Sequence, residues 1–247
     1  MTDDRFTQLI AEALRTPFEG WDFGVFQGRY DETGSLPWSY EALVRDHLGQ
    51  AASLLDLGTG GGELLASLAP LPARTAATEG YAPNVPVARR RLGPLGVKVV
   101  EVDDDRLPFP DKSFDLVINR HESYDPGEVR RVLKKGGTFL TQQVGGRDLH
   151  EVNEALGGPP NEWHAWDLRQ ATEGLLQAGF EVTWREEARV PAVFRDVGAL
   201  VLYLRLIPWQ VPGFTVERYG ERLRQLHDGG FPLHVTCHRF AVRAVAA

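Results

Sequence analysis

The run Asp56-Leu57-Gly58-Thr59-Gly60-Gly61-Gly62-Glu63 is the stretch best suited to holding a ligand. Glycines at 58 and 60 permit a tight turn and let backbone N–H groups come close to a bound molecule. A dinucleotide loop reads Gly-x-Gly-x-x-Gly, with a helix N-terminus facing a pyrophosphate. Here the last position of that pattern is Glu63, and a carboxylate sits badly beside phosphates. That counts against NAD. The leading Asp56 instead suits a cationic ligand with an amino group. Glu79 lies about 20 residues past Gly58, where a carboxylate can grip both ribose hydroxyls. Asp103, followed by Asp104 and Asp105, can accept a hydrogen bond from an exocyclic amine such as that of adenine.

A second group of reactive side chains follows. His121 titrates near neutrality and can take a proton from a hydroxyl or an amine, so it is the candidate general base. Glu122 can orient it or bind the acceptor, and Arg120 can bind an acidic acceptor or form a structural salt bridge. The aromatics Trp21, Phe23, Tyr30, Trp38 and Tyr40 can cover a pocket as a lid or pack as core. The segment Trp163-His164-Ala165-Trp166 and the turn at Trp209 can wall an acceptor pocket or simply pack. His234 and His238 share one face of a strand, but two histidines make no defined metal site, and no metal is expected. Cys237 between them reads as core, and Arg89-Arg90-Arg91 as a solvated helix face.

These residues need elements to position them. The pattern predicts strands over 53–57, 75–78, 97–102, 115–119 and 138–144, alternating with helices over 63–68, 85–92 and 127–133. That alternation implies a parallel sheet with helices on both faces. It puts Asp56, Glu79, Asp103 and Asn119 at successive strand ends. Before it, residues 1–50 read as helical and aromatic, with a helix over 40–48. After it come a helix over 168–177, a strand over 180–184, an insertion over about 185–230 and a long final strand over 233–245.

Composition narrows the class. The chain has 247 residues, 43% hydrophobic and 25% charged, which suits a globular domain with a cap rather than a disordered or fibrous protein. No apolar run reaches the roughly 20 residues of a membrane span. The acidic start, Met1-Thr2-Asp3-Asp4-Arg5, does not read as a secretory signal. The single cysteine fits a reducing, cytoplasmic setting. A net charge of −7 disfavours sequence-independent nucleic-acid binding.

Residues Asp56 to Glu63, Glu79, Asp103 with Leu107-Pro108-Phe109-Pro110-Asp111-Lys112-Ser113-Phe114-Asp115, and Val132-Leu133-Lys134-Lys135-Gly136-Gly137 together resemble a class I S-adenosylmethionine (SAM) methyltransferase. The branch typified by quinone-biosynthesis methyltransferases is the most similar, and the likeness covers residues 50–145. It implies an α/β fold: a Rossmann-like, mostly parallel seven-stranded sheet, with an N-terminal helical lid over 1–50 and a C-terminal insertion. It implies SAM as cofactor, with Asp56, Gly58, Thr59 and Gly60 at the methionine end and Glu79 on the ribose. Gly80 and Tyr81 would lie beside the adenine, Asp103 on its amine, Asp104 N–H at a ring nitrogen, and Asn119 beside the sulfonium. The implied reaction is methylation of an O, N or C atom of a small molecule. Methylation of an RNA base or a protein, and non-catalytic SAM sensing, are the alternatives. The short polar segment 119–126 departs from the family and argues against a quinone-like acceptor.

Overall fold

The run Ser53–Leu57 is buried at every residue, as a strand covered on both faces must be. In the computed structural model, which describes residues 2–18, 23–103 and 106–247, it is the second of eight strands in one sheet. Trp21, Asp104 and Asp105 lie outside the described residues. The strands are β1 (Tyr30–Glu32), β2 (Ser53–Leu57), β3 (Arg74–Glu79), β4 (Lys98–Glu101), β5 (Phe114–Arg120), β6 (Leu133–Val144), β7 (Phe180–Phe194) and β8 (Leu233–Ala246). Their spatial order is β1-β7-β8-β6-β5-β2-β3-β4. The pairs within β4-β3-β2-β5-β6 are all parallel. Strand β8 is antiparallel to both β6 and β7, and β1 is antiparallel to β7.

From β2 the chain builds outward through β3 to β4, then returns to the other side of β2 as β5. The order therefore reverses between β2 and β5, and the loops leaving these two strands flank the crevice where ligands of open α/β sheets bind.

Neighbouring residues of each buried strand face opposite ways. Leu54, Leu116, Ile118 and Leu140 pack with helices α2 (Tyr40–Leu48), α3 (Glu63–Ser67) and α4 (Asn84–Leu92). Leu55, Val117 and Phe139 pack on the other face with α5 (Pro126–Val132) and α7 (Leu168–Gln177).

The sheet has eight strands rather than seven, and its far side is antiparallel. Strand β1 is three residues long, too short for periodicity to show. Strand β7 runs fifteen residues, through ground expected to be insertion. Its run Arg185-Glu186-Glu187 hides the alternation, and Pro191 reads as a breaker. Pro191 is tolerated because it lies immediately past the end of β1, whose last pair is Glu32↔Ala192.

The length of β7 and β8 builds the cap. Strand β8 meets β6 only from Arg239 to Val245, whereas it meets β7 from Leu233 onward. Six residues of each strand thus rise past β6, an extension of roughly 20 Å. Around it α1 (Thr2–Arg15), α6 (His150–Leu156), α8 (Val197–Leu206) and α9 (Val216–Gly229) close a second core. Helix α8 is buried along its first eight residues.

The expected N-terminal lid is largely part of this cap. Tyr30 stacks 4.6 Å from Phe194 and 5.5 Å from Tyr203 (ring centroids), and Phe26 lies 5.5 Å from Tyr30. Arg29 bridges Asp196 at 2.9 Å and Glu12 at 2.7 Å. A buried ion pair, Asp148 with Arg239, joins cap to sheet, and Arg239 also reaches Glu32 at 3.1 Å. Only residues near α2 return to the parallel half of the sheet. No helix among the described residues is long and apolar enough to cross a membrane.

Candidate functional site

The glycine loop leaves β2 at the crevice. Gly58 has φ +64°, a conformation that favours glycine, and a Cβ there would lie 2.3 Å from Glu122 Cγ. The loop is fastened by β3. Gly58 N donates to Thr78 Oγ1 (3.3 Å) and Thr59 N to Thr78 O (2.9 Å). Gly60 N donates to Glu79 Oε2 (2.6 Å) and Tyr81 N to Glu79 Oε1 (2.8 Å). On the outer side Arg91 bonds both Glu63 and the Gly61 carbonyl. The carboxylate that spoils a phosphate site is thus tied down by the last residue of the arginine run.

Two carboxyls lie beneath the loop. Asp56 is buried, and desolvation pushes its carboxyl up to about 7, with the Glu79 charge adding to the effect. Glu79 is also buried, and burial raises its carboxyl against the pull of the loop N–H groups. Glu79 therefore clips the loop; its remaining lone pairs are what it can offer a ligand.

Strand β5 supplies the opposite wall. Asn119 pairs in register with Leu57 and is fully buried. Its Oδ1 accepts from Thr141 Oγ1 (2.8 Å) and Gln143 Nε2 (2.6 Å), while its Nδ2 has no partner. Tyr40 Oη accepts from Asn119 N (3.0 Å) and donates to Asn119 O (2.8 Å), which fastens α2 to this strand end.

Residues 121–125 then turn over the crevice. His121 takes φ +63°, and its N–H donates to Gln142 O (2.8 Å). Trp38 Nε1–H, a donor only, bonds Gln142 Oε1 (2.8 Å), so Gln142 turns its amide nitrogen to His121 Nε2 (3.0 Å). The imidazole must accept there, which selects its neutral form. The residue as a whole is exposed. Desolvation of the ring, with the charges of Arg239 and Arg120, lowers it well below the usual histidine range. Asp125 caps α5 by accepting from Glu128 N (2.7 Å), with Pro126 behind it.

A cavity of about 320 Å³ opens between the loops, lined by Leu57, Gly58, Thr78, Gly80, Val102, Asp103, Leu107, Glu122, Ser123, Tyr124, Asp125 and Val129. It brings together Gly58, Gly80, Asp103 and Glu122 of the sequence reading. Asp56, Thr59, Gly60, Glu79 and Asn119 form the layer beside or beneath its walls. His121 stands outside the lining. So does Tyr81, which is 61% exposed. Trp163 and Trp209 are exposed, while Trp166 packs 5.7 Å from Phe240.

The sequence reading did not single out Tyr124. Its hydroxyl is buried without a partner, and its ring meets Phe139 edge-on at 4.9 Å. Desolvation holds the phenol protonated, as a donor. The Asp125-Pro126 helix start placed its loop, but nothing local marked its direction. His238 bonds Glu187 at 2.8 Å, and no metal-holding cluster occurs among the described residues.

Residues 55–141 match the family model described as a methyltransferase domain. The chain is 35% identical over 127 residues to a fatty-acid O-methyltransferase from Mycolicibacterium smegmatis. That match covers 48% of this chain and 46% of the relative, so the chain spans about half the length of the relative it matches. Among solved structures, a candidate methyltransferase from Bacillus halodurans C-125 aligns with TM-score 0.61 and 20% identity over 83% of this chain and 98% of that one. A SAM-dependent methyltransferase from Aquifex aeolicus aligns with TM-score 0.54 and 15% identity over 99% and 98%. At those identities the two structures speak for the fold alone.

Proposed function

We propose that this chain, whose residues 55–141 match a methyltransferase-domain model, is a class I SAM-dependent methyltransferase that transfers a methyl group from SAM to an oxygen of a small, acidic molecule. The observation that carries the cofactor reading is the cavity's charge. Its lining holds Asp103, Glu122 and Asp125 and, among the described residues, no Lys, Arg or His. Such a site favours a cationic ligand over a pyrophosphate. Its volume of about 320 Å³ falls in the ordinary range of small-molecule sites. The unpartnered donors Asn119 Nδ2 and Tyr124 hydroxyl are groups that a polar ligand would satisfy.

SAM supplies an electrophilic methyl: the new bond to the acceptor forms as the S–C bond breaks, and the bonding pair stays on sulfur. The chain's own part is binding and orientation. Asp56 and the loop Gly58, Thr59 and Gly60 would hold the methionine end, with Asn119 beside the sulfonium. Glu79 serves the ribose by holding the loop against β3, Gly80 and Asp103 would hold the adenine side, and Tyr124 would donate into the same space. Tyr81 would lie beside the adenine and the Asp104 N–H at its ring nitrogen, as the family resemblance implies.

The acidic acceptor is supported by the relative's name and by the state of the candidate bases. His121 has its Nε2 engaged by Gln142, and Asp56 and Glu79 lie beneath the loop. A carboxylate arrives as its own nucleophile and needs no base. His121 is then a positioning residue that joins Trp38 and Gln142 to the 121–125 turn.

The test is calorimetric titration with SAM, S-adenosylhomocysteine and NAD, followed by turnover on carboxylic acids and on matched amines. Binding of the first two ligands, with methyl ester formation from an acid, is the expected result. NAD binding would overturn the cofactor reading. Methylation of amines alone would overturn the acceptor class, and binding without turnover would turn the reading to a SAM sensor.

A further inference from the structure

Resting on that reading, we propose that Glu122 is the charge by which this site tells SAM from its demethylated product. The two ligands have nearly the same shape but differ by one positive charge, on sulfur. A carboxylate near that sulfur favours SAM, and its attraction disappears once the methyl has left.

Glu122 is placed for this. Its side chain lies against Gly58, with Oε2 2.8 Å and Cγ 2.3 Å from where a Cβ of residue 58 would stand. It lines the cavity at the junction of the β2 and β5 loops, above the register pair Leu57↔Asn119. Its backbone is held: Gln143 Nε2 donates to Glu122 O (3.1 Å) and is itself fixed on Asn119 Oδ1 (2.6 Å). Glu122 Oε1 accepts from Ser123 N (3.2 Å). Glu122 Oε2 lies over the glycine loop. No cation lines the cavity with it among the described residues. The neighbouring carboxyl differs in kind: Asp56 is buried, and desolvation pushes its carboxyl up.

The reading makes Glu122 a specificity residue toward the cofactor rather than an orienter of His121, whose ring points to Gln142. It also gives the site a means of product release, since transfer removes the ligand's side of the attraction.

The experiment measures dissociation constants of SAM and S-adenosylhomocysteine for the full chain, wild type and Glu122→Gln, by calorimetry at neutral pH. Glu122→Gln should weaken SAM about tenfold or more and leave S-adenosylhomocysteine within about twofold, the size of effect expected for a charge pair a few ångströms apart near a protein surface. Glu122→Asp, which keeps the charge, should retain most of the preference for SAM and guards against a folding defect in the first variant. Equal weakening of both ligands by Glu122→Gln would overturn the inference and make Glu122 a ribose or loop contact. An unchanged SAM affinity would overturn it too. A wild-type chain that binds neither ligand would instead refute the cofactor reading beneath it.

Discussion

Asp56 should make SAM binding depend on pH, and the structure sets the window. Its buried carboxyl is raised to about 7, chiefly by desolvation. A cationic ligand favours the carboxylate, so binding must draw a proton off Asp56 at lower pH. At pH 5 about 1% of the free protein carries the ionised form, and at pH 8 about 90% does. SAM affinity should therefore rise about 100-fold from pH 5 to pH 8, with a proton released on binding at the acidic end. Glu79 is also raised by burial, so its titration acts in the same direction. Asp56→Asn isolates the effect: it should bind weakly, with most of the slope gone. The same shift has a stability consequence of opposite use. Between the ordinary 3.8 and about 7 the folded protein holds a proton that the unfolded chain has lost. Stability from this group is full below 3.8 and falls as pH rises to about 7. Three units at 1.4 kcal/mol each set a cost on the order of 4 kcal/mol at pH 8. Asp56→Asn should thus unfold at higher denaturant concentration than wild type at pH 8, while the two converge near pH 4. Calorimetry in buffers of different ionisation enthalpy and urea titrations at both pH values measure these effects. A SAM affinity flat from pH 5 to 8, or an Asp56→Asn chain less stable than wild type at pH 8, would refute the reasoning.

Three further perturbations separate binding from architecture. Tyr124→Phe removes a buried hydroxyl that has no partner in the protein; thermal stability should hold or rise slightly, while SAM affinity drops about fivefold, the worth of one neutral hydrogen bond. Arg239→Met leaves Asp148 buried without its cation and frees Glu32; it should cost about 3–5 kcal/mol in a urea titration, and adding Asp148→Asn should recover much of that. His121→Asn should keep turnover within about tenfold and leave the pH profile unchanged, since asparagine tolerates the positive φ at 121; a far deeper loss, with the acidic limb of the profile abolished, would restore the imidazole as the base.

The alternation of apolar strands and helices from residue 53 to 144 was legible because each unit is defined locally. A buried parallel strand is an unbroken apolar run, and a glycine loop followed by a helix start is a short-range pattern. Asp56, Glu79, Asp103 and Asn119 were placed at strand ends for the same reason, and the long last strand was read from its alternation. The cap was not legible. Its sheet extension depends on β7 continuing through Arg185-Glu186-Glu187 and Pro191, and what makes those residues a strand is pairing with β8 far along the chain. The three residues of β1 become a strand only because an open edge awaits them. Nor could spacing tell that the N-terminal aromatics belong to the cap core, that Gln142 turns His121 away from the cavity, or that Tyr124 turns in. Local patterns decide which elements form and where their ends lie. Which side chains then share a cavity depends on contacts between residues distant in sequence, and those exist only once the sheet has assembled.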